Sequence, residues 1–271
     1  MDSIITAIIQ GIVEGLTEFL PVSSTGHLIL SGKLLGFTGE KADTFEIIIQ
    51  LGAILAVAVI YYRRILALFG LASSKESSAP ATSHKLNLIH IILACLPAMV
   101  LGLVLHSVIK NYLFSPYTVL IGLVVGGVFM LYGQKRQATV QAEGIDELSY
   151  KQAFLIGLFQ CLALWPGFSR SGATIAGGLL IGASYRAATN FSFLVAIPMM
   201  IAASGYELLK SYKLLTADDA MFFLTGFVVA FVVALLAVLT FLKLLERFKL
   251  APFAYYRFVL AAVFFIYLIS S

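Results

Sequence analysis

Residues 152–185 read QAFLIGLFQCLALWPGFSRSGATIAGGLLIGASY, thirty-four residues that carry a single charge, Arg170. As one continuous helix at about 1.5 Å per residue this stretch would reach about 51 Å, far beyond a bilayer core of about 30 Å. It is also interrupted at its centre, where Pro166-Gly167 precedes Ser169-Arg170-Ser171-Gly172. A backbone break in so apolar a setting frees N–H and C=O groups that lipid cannot satisfy. Irregular backbone survives at membrane depth only where it is buried in protein or lines a wet cavity. The stretch therefore predicts a helical hairpin whose tip lies inside a membrane protein.

A second stretch, residues 3–32, follows the same plan. It contains two carboxylates, Glu14 and Glu18, and one imidazole, His27, and it is broken by Pro21 ahead of Ser23-Ser24-Thr25-Gly26. With an offset of 146 and no gaps, Gly11 meets Gly157, Leu16 meets Leu162, Ser23 meets Ser169 and Gly26 meets Gly172, while Glu14 meets Gln160 and Phe45 meets Phe191. The shared break and apolar flanks point to an internal repeat, with repeat one over about 1–133 and repeat two over about 150–271 of a single membrane domain, 1–271.

Composition agrees with this solvent. The chain has 271 residues, of which 60% are apolar and only 12% charged; soluble domains carry roughly 25% charge. Six further runs, near 45–62, 88–105, 117–133, 190–209, 221–243 and 253–269, are long and apolar enough to span, with no charge needed at their centres. In lipid these must be helices, so the fold class is an all-α integral membrane protein with about six transmembrane helices plus two re-entrant helical hairpins in an inverted-topology repeat. Residues 70–87, rich in Ser, Ala and Pro, form the polar linker. Gly122-x-x-x-Gly126 is a seam for close approach of a neighbouring helix, and such small-residue seams are compatible with a homodimer.

The inversion follows from parity: three full spans, an odd number, separate two segments that dip in and return. On that topology the loops 63–87, 134–151 and 243–252 hold ten Lys or Arg, and the opposite set, 33–44, 106–116 and 210–220, holds five. The richer set is cytoplasmic by the positive-inside rule, and the two hairpin tips meet near the midplane, where inverted repeats with broken helices place their sites. The net charge of +4 thus orients the chain and does not imply a nucleic-acid partner. The N-terminus, with Asp2 and no basic region, does not read as a cleavable signal peptide. Cys95 and Cys161 have no CxxC or His partner nearby and read as apolar fillers.

The chemistry lies in the scarce polar residues of the two breaks. Glu14 and Glu18, four apart, share one helix face and suit a divalent metal, a proton relay or a general base with its orienting partner; a pair held at a lipid interface is the bland alternative. Ser23, Ser24 and Thr25 supply hydroxyls, the N–H groups around Gly26 suit an anion, and His27 can transfer a proton; the same residues would also make a helix N-cap with a satisfied histidine. Arg170, flanked by Ser169, Ser171 and Thr174, needs an anionic partner in lipid, and its planar fork matches phosphate. An ion pair with Glu14 or Glu18 would satisfy it equally. Gln50, His90, Asn190 and Glu207 read as helix-packing or interfacial residues. The whole inventory fits phosphoryl chemistry on a lipid whose tail stays in the bilayer.

EGLTEFLPVSSTGH (14–27) and PGFSRSGAT (166–174) resemble the two signature motifs of the bacterial undecaprenyl-diphosphate phosphatases of the bacitracin-resistance type, Glu/Gln-x-x-x-Glu and Pro-Gly-x-Ser-Arg-Ser-x-x-Thr. Both are complete here, and the resemblance extends over essentially the whole chain. It implies hydrolysis of undecaprenyl diphosphate to the monophosphate, recycling the carrier lipid for peptidoglycan, in the bacterial cytoplasmic (inner) membrane, with the active site open to the outer face and a divalent cation, Mg²⁺ or Ca²⁺, as cofactor. Joined to the residues, it gives a working assignment. Arg170 with Ser169, Ser171 and Thr174 holds the diphosphate, together with Ser23, Thr25 and Gly26. Glu14 and Glu18 bind the metal or activate the attacking oxygen; Ser24, or else Ser23 or a metal-activated water, attacks phosphorus; His27 moves a proton. A polyprenyl-phosphate flippase or ion-coupled transporter is the competing class, since broken helices and buried charges are transporter features too; a structural membrane scaffold is the third.

Overall fold

The computed structural model describes residues 3–71, 85–211 and 219–270, and among them all extended regular structure is helical. Most of the linker expected at 70–87 lies outside the described residues.

The N-terminal break produces two short helices, α1 (Ile4–Thr17) and α2 (Ser24–Leu35). They run side by side: the Ser31 hydroxyl of α2 donates to Gln10 Oε1 of α1 at 2.7 Å. After α3 (Glu40–Ile60), α4 (Tyr62–Leu68), α5 (Leu88–Val104), α6 (His106–Val108) and α7 (Pro116–Lys135), the second break does the same with α8 (Tyr150–Gln160) and α9 (Arg170–Leu180). Here the Gln152 amide of α8 donates to the Ile181 carbonyl beyond α9 at 3.1 Å. The four arms have 14, 12, 11 and 11 residues, so none is longer than about 21 Å at 1.5 Å per residue, and none can cross a core of about 30 Å alone.

Long apolar helices make the rest of the frame. Five can span a membrane: α3, α7, α10 (Tyr185–Ser211), α11 (Ala220–Phe248) and α12 (Ala251–Ser270). A sixth span is reached if α5 and the segment His106–Leu113 count together across their 67° bend. Each of the six expected runs coincides with one of these. α11 packs against α1 and α3, α5 against α8, α12 against α7, and α9 is enclosed by α7, α8 and α10. The core reaches the first break directly, since Phe19 stands edge-on to Phe193 of α10 at 5.5 Å and Phe193 contacts Phe241 of α11 at 6.0 Å.

Two expectations change in α7 and α12. The Gly122/Gly126 seam does permit a close approach, but the partner is chiefly the second tip. A Cβ at Gly122 would collide with the Pro166 carbonyl, and one at Gly126 with the Phe168 carbonyl and the Arg257 guanidinium. The chain fills this seam itself. The run 253–269 is not free of an interior charge: Arg257 is completely buried. Its neutral surroundings let it hide, because carbonyl oxygens rather than carboxylates receive it. The other polar residues of the frame pair within the protein: Gln50 with Ser204, His90 with the Leu148 carbonyl, Asn190 with Tyr61 and Glu207 with His106.

Candidate functional site

Each broken segment ends in a helix capped by a serine of the same unusual conformation. Ser23 sits at φ 72°, ψ 98° and its hydroxyl accepts from the Gly26 N–H at 3.4 Å; Ser169 sits at φ 75°, ψ 118° and accepts from the Gly172 N–H at 3.2 Å. A non-glycine residue at such φ is strained and persists only where its surroundings over-determine it. At both tips the strain turns the chain so that a helix N-terminus, with its unpaired N–H groups and positive dipole end, faces inward.

The two tips are joined by a short polar chain. The Ser24 hydroxyl, first in α2, donates to Glu18 Oε2 at 2.5 Å. The other oxygen, Oε1, faces the Arg170 guanidinium, first in α9, at 3.4 Å. Arg170 also donates to the Ser192 carbonyl of α10 at 3.2 Å and lies over the Phe19 ring at 5.6 Å. Behind it, the Thr174 hydroxyl donates to the Arg170 carbonyl at 2.8 Å and meets Ser192 Oγ at 2.6 Å. Ser171 Oγ lies 3.2 Å from Ser169 Oγ and donates to the Leu20 carbonyl at 3.0 Å, which stitches the second tip onto the first break. The Glu18–Arg170 ion pair expected as one reading of the sequence is therefore present, and it shares Glu18 with Ser24.

Two polar groups next to Glu18 in the chain of contacts have no hydrogen-bond partner among the described residues: both carboxylate oxygens of Glu14 and the Nε of Arg170 are buried without one. Burying a charged or polar group unpaired costs several kcal/mol at the upper end of the usual range, so each is a candidate contact for a polar ligand. Glu14 is 1% exposed, and Glu46 of α3 lies within electrostatic reach of it. No cluster of three or more His, Cys, Asp or Glu side chains among the described residues forms a metal cage. Two carboxylates alone do suit a hard divalent cation that takes its remaining ligands from phosphate oxygens and water.

His27 stands apart from Ser24. Its Nδ1 lies 2.8 Å from the Ser23 carbonyl and its Nε2 2.7 Å from the Tyr256 hydroxyl, with the two rings stacked at 5.6 Å. Thr25 makes no side-chain hydrogen bond among the described residues, and Gly26 packs its α-carbon toward Leu123 of α7. Ser24, Glu18, Arg170, Ser171 and Thr174 are thus connected; Ser23 and Ser169 shape the tips; His27 reaches outward to α12. Sequence reasoning missed Ser192, Glu46, Tyr256 and Arg257. The first two carry no signal beyond an ordinary polar residue in a span, and the last two lie adjacent at the start of α12.

Next to the first tip, Leu16, Leu20, Val233, Leu236, Ala237, Thr240 and Phe241 line an apolar groove of about 350 Å³. A polar junction thus borders an apolar surface, an arrangement suited to an amphiphile.

The sequence model of one protein family, described as "Bacitracin resistance protein BacA", matches residues 7–263. Curated relatives are similar over the full length. The protein named Undecaprenyl-diphosphatase 1 in Bacillus anthracis is 54% identical over 269 residues, covering 99% of this chain and 100% of that protein. Its namesake in Bacillus thuringiensis subsp. konkukian is 53% identical over the same shares.

Proposed function

The chain belongs to the bacitracin resistance protein family, and from that premise we infer that it is a multi-pass membrane phosphatase that hydrolyses undecaprenyl diphosphate to undecaprenyl phosphate and inorganic phosphate. The relatives named for that activity support the substrate. The observation that carries the site is the chain Ser24–Glu18–Arg170 between two inward-facing helix N-termini, bordered by the open oxygens of Glu14 and the open Nε of Arg170. A flippase or transporter reading draws no support from relatives named for hydrolysis.

In this reading the diphosphate lies between the tips. Arg170 and the N–H groups of α9 take the terminal phosphoryl group, and the N–H groups of α2 face it from the other side. Glu18 removes the proton of Ser24, whose oxygen attacks the terminal phosphorus; the bond to the bridging oxygen breaks, and undecaprenyl phosphate leaves with the electron pair. Water then cleaves the serine–phosphate bond: Glu18 returns the first proton to the departing Ser24 oxygen and takes one from the water, inorganic phosphate leaves, and the proton left on Glu18 passes to bulk water. His27, held by Tyr256, is the nearby group that can move a proton to bulk water. Glu14, with Glu18 second, would hold a divalent cation, Mg²⁺ or Ca²⁺. When bound, the cation supplies neutralising charge to the diphosphate. The apolar groove beside Leu20 offers the first isoprene units a path back into lipid.

The same proposal places the chain in the bacterial inner membrane with its site open to the outer face, and reads α1–α2 and α8–α9 as re-entrant hairpins of an inverted repeat. The exchange of partners, α1 against α11 and α8 against α5, supports the repeat. Purified protein with undecaprenyl diphosphate, assayed for phosphate with and without chelator, tests the reading. Phosphate release that chelator abolishes is expected; no release at all overturns it.

A further inference from the structure

The mechanism leaves one buried charge unused. Arg257, in the second turn of α12, is fully buried. Its partners among the described residues are the Leu123 carbonyl (Nε, 3.1 Å), the Gly122 carbonyl (Nη2, 3.1 Å), the Gly167 carbonyl (Nη2, 2.7 Å) and the Met130 sulfur (Nη1, 3.4 Å). None is an acid. A buried guanidinium without a carboxylate is a poor way to gain stability, so its geometry calls for another explanation.

That geometry is specific. Arg presents five N–H donors in a rigid fork, and here the fork spans two segments far apart in sequence, α7 and the turn of the second tip. Three of its partners, the Leu123 and Gly122 carbonyls and the Met130 sulfur, belong to α7, where the lack of a side chain at Gly126 makes room for the guanidinium. The fourth, the Gly167 carbonyl, lies in the turn of the second tip, two residues before Ser169. Gly167 itself has φ +92° and a Cβ there would collide with the Val119 carbonyl, so the turn is pressed flat against α7. The turn leads directly into Ser169 and Arg170, the N-cap and first residue of α9. The preceding residue of α12, Tyr256, holds His27 of the first tip. Adjacent side chains of one helix therefore grip both tips.

We propose that Arg257 is a positioning residue for the phosphatase reaction. By fastening the Gly167 carbonyl to α7 it keeps the Pro166–Ser169 turn seated, holds Ser169 in its left-handed conformation, and so aims Arg170 and the α9 N-terminus at the diphosphate. It touches no reacting atom. The proposal rests on the phosphatase reading for its kinetic consequence but not for its structural one.

The turn contains the chain's single tryptophan, Trp165, whose indole N–H donates to the Thr118 carbonyl of α7 at 2.9 Å. Its fluorescence reports directly on whether the turn is seated. The test uses full-length Arg257→Lys and Arg257→Gln in detergent micelles, each checked for unchanged helical circular dichroism. Lys keeps the charge but gathers its donors on one nitrogen, so it lacks the planar fork whose Nε and Nη2 reach carbonyls of α7 and of the turn. Both variants should show red-shifted Trp165 emission and stronger acrylamide quenching. In both, kcat on undecaprenyl diphosphate should fall about 10²-fold, the order expected for a misplacement near 1 Å, while KM changes little. Unchanged Trp165 fluorescence in Arg257→Lys overturns the proposal, whatever the rate does, and so does a wild-type kcat in a variant whose turn is released. If the wild type itself releases no phosphate, the phosphatase reading falls, and the fluorescence comparison still decides whether Arg257 seats the turn.

Discussion

The two hairpin tips share a backbone and differ in what they carry. Ser23 and Ser169 occupy the same strained region, cap their helices through the same residue three positions on, and are followed by Ser24 in one tip and Arg170 in the other, each the first residue of its helix. At corresponding points of two similar turns stand a hydroxyl and a guanidinium. The residues around them diverge to match. Glu14 of the first segment is replaced by Gln160 in the second, and His27 by Ala173. Glu18 bonds to both Ser24 and Arg170. In the proposed mechanism the first tip would hold the acid–base chemistry and the second the anion clamp, so two similar turns would serve one reaction by carrying unlike residues.

The largest test of that division is Arg170→Ala. Loss of the clamp should lower phosphate release by at least about two orders of magnitude, since charge-stabilising donors supply several kcal/mol to a transition state. Arg170→Lys should remain defective, because an ammonium group is a point charge without the planar fork that meets Glu18 and the Ser192 carbonyl from separate nitrogens and matches phosphate bidentately. Retention of near-normal release by Arg170→Ala would remove the cation from the comparison altogether. Ser24→Ala probes the other tip: release should fall about 10²-fold or more, and no phosphoenzyme should form from labelled substrate. A Ser24→Ala enzyme with near-normal turnover would mean that water attacks directly.

A third measurement concerns the cation. Glu14→Gln should raise the Mg²⁺ or Ca²⁺ concentration for half-maximal release by about tenfold or more, because the substituted site loses one of few anionic ligands for a hard ion. An unchanged cation dependence would assign the open oxygens of Glu14 to some other ligand. Smaller still is Tyr256→Phe, which leaves His27 Nε2 without its partner. The loss should be near 1 kcal/mol, visible as a few-fold decrease in rate and a modest drop in thermal midpoint.

Much of this was readable in the residues, and the exceptions have physical causes. Pro21 and Pro166 break apolar stretches, and proline and lipid together leave few options, so the two broken segments and the all-helical frame of five or six apolar spans followed from pattern alone. Arg170 was equally legible, because a lone charge in thirty-four residues has to be explained. Arg257 was not. It lies one turn inside an apolar run whose flank is basic, and its partners are main-chain carbonyls of α7 and the second tip, which no side-chain pattern announces. Less legible was which group meets Ser24: the sequence offered Glu14 and Glu18 as activators and His27, three residues on, as a proton carrier, and α2 points the His27 ring toward α12. The bend between α1 and α2 folds Ser24 back onto Glu18, six residues earlier. Charge and periodicity identify which residues matter; only the turn decides which of them meet.

The finest comparison is between the caps. At φ above +70° a serine carries backbone strain of about 1–3 kcal/mol while its hydroxyl satisfies one N–H of the helix. Glycine removes the strain and loses only a few tenths of a kcal/mol as a cap, whereas alanine keeps the strain and loses about 1 kcal/mol of capping. Ser23→Gly and Ser169→Gly should therefore melt at or slightly above the wild-type temperature, and both alanine variants below it. The alanine losses should not be equal. Ser23 makes one long cap bond of 3.4 Å, while Ser169 makes a shorter one and also meets Ser171, which reaches the Leu20 carbonyl of the first break. Ser169→Ala should then cost more than Ser23→Ala by roughly the net worth of one hydrogen bond, about 0.5–1.5 kcal/mol. Equal losses would mean that the Ser169–Ser171–Leu20 relay holds nothing, and that the tips are joined only through Glu18 and Arg170.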